Sequence, residues 1–339
     1  MKPNRNSIIL FILIVLGAVL RLITVWSRAP DGDEIFTLAV AQSPIGKIVS
    51  YSILTDYNPP LFYLSAHLAT LTGGASIAAV RFPSVIFGVL LIPLVYLIGR
   101  ELDGEDLGLI SAGFITLLYP AIYYSQYARS FAMEMFAFSV VILAFIRILK
   151  DKDAWLLFTV SGLIALYIHA FAVVPLAFMV LYLIHIRQIR YNYLIGMSIA
   201  AIPFILMMYV IGLHRHYAYG FSPLKVAGLM PLEFFGYGSP VVLALIAWAC
   251  MMYLNRYDLP LIAVPLLTCL SAILIAPFTP VFPRYALLVM PLLAVVAMVT
   301  VARWIRDGNY KVFYIALVSF LAADMVQVMI LLMGLFQQG

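Results

Sequence analysis

Long apolar stretches follow one another along this chain, and several exceed the ~18 residues that a membrane-spanning helix requires. Their continuity excludes a β-barrel, whose strands alternate polar and apolar residues in segments of about ten. A hydrophobic fraction of 65% and a mean hydropathy of +1.07 lie far above the soluble norm. The sequence predicts an all-α polytopic membrane protein with about eleven transmembrane helices. Expected spans are Ser7–Trp26, Ala79–Gly99, Leu107–Tyr123, Phe131–Leu149, Trp155–His169, Phe171–His185, Tyr193–Leu213, Pro240–Leu254, Leu259–Pro277, Tyr285–Arg303 and Val312–Met333. The short fifth and sixth can also form one helical hairpin. The first stretch is long and has no small-residue cleavage site, so a retained helix is expected in place of a signal peptide. Cys250 and Cys269 lie inside spans, without disulfide or zinc spacing, and read as buried thiols.

Lys and Arg accumulate on the cytoplasmic side of membranes and so predict orientation. With the N-terminus inside, Lys2, Arg5, Arg100, Arg147, Lys150, Lys152, Arg187, Arg190, Arg256, Arg303, Arg306 and Lys311 are cytoplasmic. The outer segments keep Arg28, Lys47, Arg81, Arg129, Arg215, Lys225 and Arg284, and Arg21 lies inside the first span. The net charge of +5 is the sum of such loop charges, which points to membrane orientation and away from nucleic acid. Two long outer segments result, 27–78 and 214–239, with a short third around Pro280–Arg284. No loop is long enough for a separate soluble domain. Residues 1–339 are expected to form one integral-membrane domain, with any active site at the outer mouth of the bundle.

The first outer segment stands out chemically. Charged residues are only 10% of the chain, yet Asp31, Asp33, Glu34 and Asp56 share this stretch. Carboxylates beside lipid are costly, and those retained usually do chemistry or bind a cation. Asp31 and Asp33 form an Asp-x-Asp whose hard oxygens suit a divalent cation, but so short a motif leaves metal dependence open. Asp33 also precedes an amphipathic stretch, Ile35–Val40, where it can serve as a helix N-cap.

Asp33-Glu34 with Thr37, then Asp56-Tyr57-Asn58-Pro59-Pro60-Leu61-Phe62-Tyr63, then Arg81-Phe82-Pro83-Ser84 form an ordered series. Gly99-Arg100, Tyr124-Ser125-Gln126-Tyr127-Ala128-Arg129-Ser130-Phe131 and Tyr167-Ile168-His169 continue it, with weaker echoes in Pro283-Arg284-Tyr285-Ala286-Leu287-Leu288 and Pro291. Over about the N-terminal half this series resembles the GT-C class of polyprenyl-phosphate-sugar-dependent glycosyltransferases. The nearest branch is the protein-mannosyltransferase-like, family 39-like one. The resemblance implies inverting transfer of a sugar from a dolichyl- or undecaprenyl-phosphate donor to a protein, lipid or glycan acceptor on the outer face. Inversion needs a carboxylate base opposite the leaving group and positive charge on the departing phosphate. Carried over, the base is Asp33, with Glu34 beside it. Arg129, Arg284 and Tyr285 would hold the donor phosphate, and Asp31, Asp56, Arg81, Tyr127 and His169 would support the site. Larger family members often carry a soluble C-terminal domain or a long lumenal loop; neither is expected here, and the compactness suggests a prokaryotic cell membrane.

Each residue also has a plainer role open to it. Arg129 can pair with Glu134 or with the first outer loop, and Arg284 can snorkel at the interface. Asp56 can hold the turn before Pro59-Pro60, and His169 can be purely structural. His214 and His216 flank Arg215 as a weak candidate pair. Glu134 and Asp324 are expected to face the bundle interior beside polar neighbours. The many Tyr and Phe residues suit interfacial belts better than a sugar platform. The competing functions are a transporter using in-membrane carboxylates and a non-catalytic lipid-binding scaffold.

Overall fold

The structure, a computed structural model, describes residues 4–56, 58–214, 221–252, 259–278 and 281–336, and no strand occurs among them. Helix α1 (Arg5–Leu22) is followed by three short helices, α2 (Gly32–Ala41), α3 (Ile45–Leu54) and α4 (Leu61–Gly73), and then by the long α5 (Ile77–Asp103). Proline writes two of these breaks: Pro44 precedes α3 and Pro59-Pro60 precede α4, where a helix cannot be continued from upstream. Ser76 caps α5 by accepting the Ala79 N–H at 3.2 Å. Gly104, at φ +92°, ends it and turns the chain straight into α6 (Glu105–Leu117). The two helices touch closely at Gly99 and Gly108. A Cβ on Gly108 would stand 2.7 Å from the Tyr96 carbonyl oxygen, so only glycine admits this approach.

Helices α7 (Tyr119–Ser125), α8 (Phe131–Leu149), α9 (Trp155–Ile168), α10 (Val173–His185), α11 (Tyr191–Ala200) and α12 (Ile202–His214) follow. The chain closes with α13 (Pro223–Phe235), α14 (Ser239–Met252), α15 (Leu259–Ile275), α16 (Met290–Arg306) and α17 (Tyr310–Phe336). Both α8 and α16 are apolar all round and buried among their neighbours, whereas α1 turns Phe11, Ile12 and Val19 outward, as a lipid-facing helix must.

This is an integral membrane protein, but its spans differ from those expected. By length and composition, five helices of the described residues can cross a membrane, or seven if each of two bent pairs counts as one. Trp155–Ile168, expected as a full crossing, has 14 residues and reaches only about 21 Å, short of the ~30 Å hydrocarbon core. Leu259–Ile275 and the helix ending at His185 are short as well. Apolar content alone does not reveal where a backbone breaks. Residues 214–239, expected as an outer loop, are largely helix α13, which runs through a 3-10 turn at Gly236–Gly238 into α14. Arg215 and His216 lie outside the described residues, as does Tyr57.

Residues 107–123 show such a break clearly: α6 and α7 meet at 62°. Pro120 has no N–H for the Thr116 carbonyl, so carbonyls are orphaned inside the bundle. Arg21 of α1, fully buried, donates to the carbonyls of Ile115 at 3.0 Å and Thr116 at 3.3 Å, and to Ser125 Oγ at 3.2 Å. Across the break, the buried Asp324 of α17 lies near the Tyr119 backbone. Arg21 thus caps the carbonyls of the helix half that ends at the break.

Charge separates along the bundle. Glu101 pairs with Arg147 and Lys152, and Asp103 with Arg303 and Arg306. About 33 Å away along α5, Arg81 marks the other end, where Arg28, Asp31, Asp33, Glu34, Asp56, Arg129 and Arg284 meet.

Candidate active site

The foundation of this end is a buried ion pair. Glu34, in the first turn of α2, is wholly buried. Arg81 of α5 forks onto it, Nε to Oε1 at 2.8 Å and Nη2 to Oε2 at 2.7 Å. Arg28 Nη2 and the Ala128 N–H also donate to Oε1, at 2.8 and 3.0 Å. Arg81 spends its last nitrogen on the carbonyls of Val25 and Arg28, at 2.8 and 2.9 Å. One carboxylate therefore ties α2 to α5, to the segment after α1 and to the turn before α8. Both its oxygens are occupied.

Asp31, not Asp33, is the N-cap of α2, accepting the Glu34 N–H at 3.0 Å. That corrects the capping role open to Asp33 and leaves the Asp33 carboxylate, 44% exposed, for other work. The Tyr127 hydroxyl stands 2.7 Å from Asp31 Oδ2 and 3.1 Å from Asp33 Oδ2. Burial and these two carboxylates push the Tyr127 pKa up, so the hydroxyl keeps its single proton and shares it between them. From the 3-10 helix Pro283–Val289, Arg284 brings Nη2 to 3.6 Å from Asp33 Oδ2 while its guanidinium lies over the rings of Phe282 and Phe131. Arg284 is 27% exposed, and its Nε has no hydrogen-bond partner among the described residues.

Arg129 is held differently. Its Nη2 donates to Asp56 at 3.0 and 3.1 Å and its Nη1 to the Tyr63 hydroxyl at 2.8 Å, and it does not pair with Glu134. Asp56 also accepts from Tyr63 at 2.6 Å and Asn58 at 2.8 Å. Burial works to raise the Asp56 pKa, but the Arg129 charge and the bonds from Tyr63, Asn58 and Arg129 outweigh it and hold the group below its usual value. Asp56 is ionised in this triangle, which fastens the turn before α4 to the turn before α8. His169 accepts the Phe171 N–H at 3.3 Å, lies 3.4 Å from buried Glu134, and its ring packs 4.9 Å from that of Tyr285.

The tyrosines are not a lipid-facing belt here. Tyr119, Tyr123, Tyr127 and Phe131 recur every fourth residue and stack face on, with centroids 6.0, 5.8 and 6.3 Å apart. Arg28 lies 5.5 Å from the centroids of Tyr123 and Tyr127. Arg28 and Tyr63 were absent from the expected site. The i, i+4 spacing of aromatics was visible in the sequence, but an interfacial belt shows the same residue types. Among the described residues no three His, Cys, Asp or Glu side chains gather as a metal cluster; Asp31 and Asp33 converge as a pair.

No protein-family profile matches this chain, and neither does any curated protein. Solved structures do. The chain is similar to ArnT from Cupriavidus metallidurans bound to undecaprenyl phosphate, at 13% identity over 86% of this chain and 60% of that one, with a TM-score of 0.68. For the apo state of ArnT the shares are 91% and 62%, again at 13% identity, and the TM-score is 0.71. It is also similar to the oligosaccharyltransferase AglB from Archaeoglobus fulgidus in complex with an inhibitory peptide and a dolichol-phosphate. There the identity is 14%, the shares are 94% and 55%, and the TM-score is 0.59. The chain spans about three fifths of the ArnT length. These likenesses establish the fold, the GT-C one that the sequence motifs implied.

Proposed function

We propose that this chain, folded like ArnT and AglB, transfers a sugar from a polyprenyl-phosphate donor to an acceptor at the outer membrane face, with inversion. The observation that carries this is Asp33: a half-exposed carboxylate, fixed by the Tyr127 hydroxyl and facing the Arg284 guanidinium at 3.6 Å. Asp33 takes the proton of an acceptor hydroxyl or amide as that atom bonds to the anomeric carbon. The bond from that carbon to the phosphate oxygen breaks, and the electron pair leaves on the phosphate. Glu34, with both oxygens bonded, holds the loop instead of joining the chemistry. The acceptor class stays broad, a protein, lipid or glycan, and the prokaryotic cell membrane remains the expected home. Incubating purified protein in lipid with undecaprenyl- and dolichyl-phosphate sugars tests the proposal; no transfer from any of them, to peptide, lipid or glycan, rejects it.

Arg284 suits the donor phosphate better than Arg129. Its contact to Asp33 is long and partly solvated, so a phosphate can replace it at little cost. Arg129 would have to give up Asp56 and Tyr63. Arg284→Ala is expected to weaken binding of a donor analogue by roughly thirtyfold, the loss of a charge-assisted contact worth about 2 kcal/mol. Arg129→Ala should lower thermal stability more than donor affinity, because it strands the mostly buried Asp56. Titration of both purified variants decides between them, and the opposite ranking moves the phosphate to Arg129.

The orientation has its own test. A reporter fused after Ser43 should register the outer side and one after Lys152 the cytoplasm, from the bias of Lys and Arg to the Glu101–Asp103 end. Reversed signals would put Asp33 in the cytoplasm and favour a nucleotide-sugar donor.

A further inference from the structure

Beside the stacked tyrosines lies a cavity of about 220 Å³ that the proton transfer at Asp33 does not use. Tyr119, Tyr123, Tyr124, Leu232, Glu233 and Gln327 line it. Tyr123 stacks on Tyr127 at 5.8 Å, and the Tyr127 hydroxyl serves Asp31 and Asp33, so the cavity begins one aromatic ring from the acidic pair. Glu233 reaches in from α13, accepting a hydrogen bond from the Tyr124 hydroxyl. Gln327 of α17 spends its Oε1 on the Tyr237 N–H at 3.1 Å, which leaves its amide nitrogen as a donor. Gly236 makes room for that amide: a Cβ there would stand 2.1 Å from Oε1.

Aromatic rings beside a carboxylate and an amide suit a ring that is apolar on its C–H face and hydroxylated at its rim. A prenyl chain would desolvate Glu233 and offer nothing to the carboxylate oxygen that Tyr124 does not serve. The volume falls below the roughly 300–1,000 Å³ of drug-sized pockets, which fits one ring and little more. We infer that this cavity is a subsite for a single pyranose ring, carried by either the donor or the acceptor. The inference rests on the proposed transferase function and adds a substrate contact to it.

Saturation-transfer NMR of the full-length protein with a panel of methyl pyranosides reads this subsite without requiring turnover. At least one glycoside should bind the wild-type protein and Asp33→Asn alike. Binding should fall by roughly tenfold or more in Glu233→Ala, the loss of a hydrogen bond to a charged group. Glu233→Gln keeps an oxygen for Tyr124 and the side-chain size, so it reports on the charge if the alanine variant misfolds; it too should bind more weakly. Where transfer is measurable, a KM that rises only for the donor assigns the ring to the donor, and one that rises only for the acceptor assigns it to the acceptor. Absence of glycoside binding to wild type, or binding unchanged in both Glu233 variants, overturns the subsite. Absence of transfer with glycoside binding intact overturns the enzymatic proposal alone.

Discussion

Asp33→Asn is expected to lower kcat by roughly 10²–10⁴-fold, the contribution of a positioned general base, while donor binding and melting temperature stay near wild type. The amide has nearly the same shape and can still accept from Tyr127, but it cannot take the acceptor's proton. Stability should hold because Asp31 caps α2 and the Asp33 side chain is 44% exposed. Asp33→Glu should recover little, since an extra methylene carries the carboxylate about an ångström or more from its place beside Tyr127. Purified Asp33→Asn that transfers sugar at close to the wild-type rate would remove Asp33 from the mechanism. A variant that fails only to fold would return it to a structural role.

Glu34→Ala should produce the largest loss of stability at this end of the molecule. It leaves Arg81, with 1% of its side chain exposed, without its counter-charge, along with the orphaned Ala128 N–H. Removing one partner of a buried pair costs about 3–5 kcal/mol, whereas replacing both by apolar residues can be far milder. Glu34→Leu/Arg81→Met should therefore regain part of what Glu34→Ala loses in a denaturation series. Sugar transfer should fall with the folded fraction and not ahead of it. A fully stable Glu34→Ala protein with no activity would mean that Glu34, not Asp33, is the base.

Residues that chain order brings near were legible, and their partners were not. The ordered pieces around Asp33, Asp56, Arg81, Arg129 and Arg284 do meet at one end of the bundle. Arg129 could pair with Glu134, five residues on, or with the first loop; it took the loop, and that its partner there is Asp56, 73 residues back, was not legible. Arg81 and Glu34 are 47 residues apart, and Tyr127 and Asp33 are 94. Pairings at such separations depend on where helices cross, which a single sequence does not encode locally. The same holds for Arg21, a charge within a span that turned out to bond the carbonyls freed by Pro120.

What the sequence determined by itself was the solvent: continuous apolar stretches require every backbone group to be satisfied within helices, so a helical membrane protein was the only outcome. It also carried the separation of charges to two ends, because ionised groups cannot rest among lipid tails at a tolerable free energy. Tertiary structure alone decided how many of those stretches run unbroken, which carboxylates are sealed and which remains open. Glu34 and Asp33 are adjacent in the chain and of similar chemistry. Side chains of neighbouring helical residues point in different directions, so one meets two arginines in the interior and the other stands beside Tyr127 and Arg284 at the mouth.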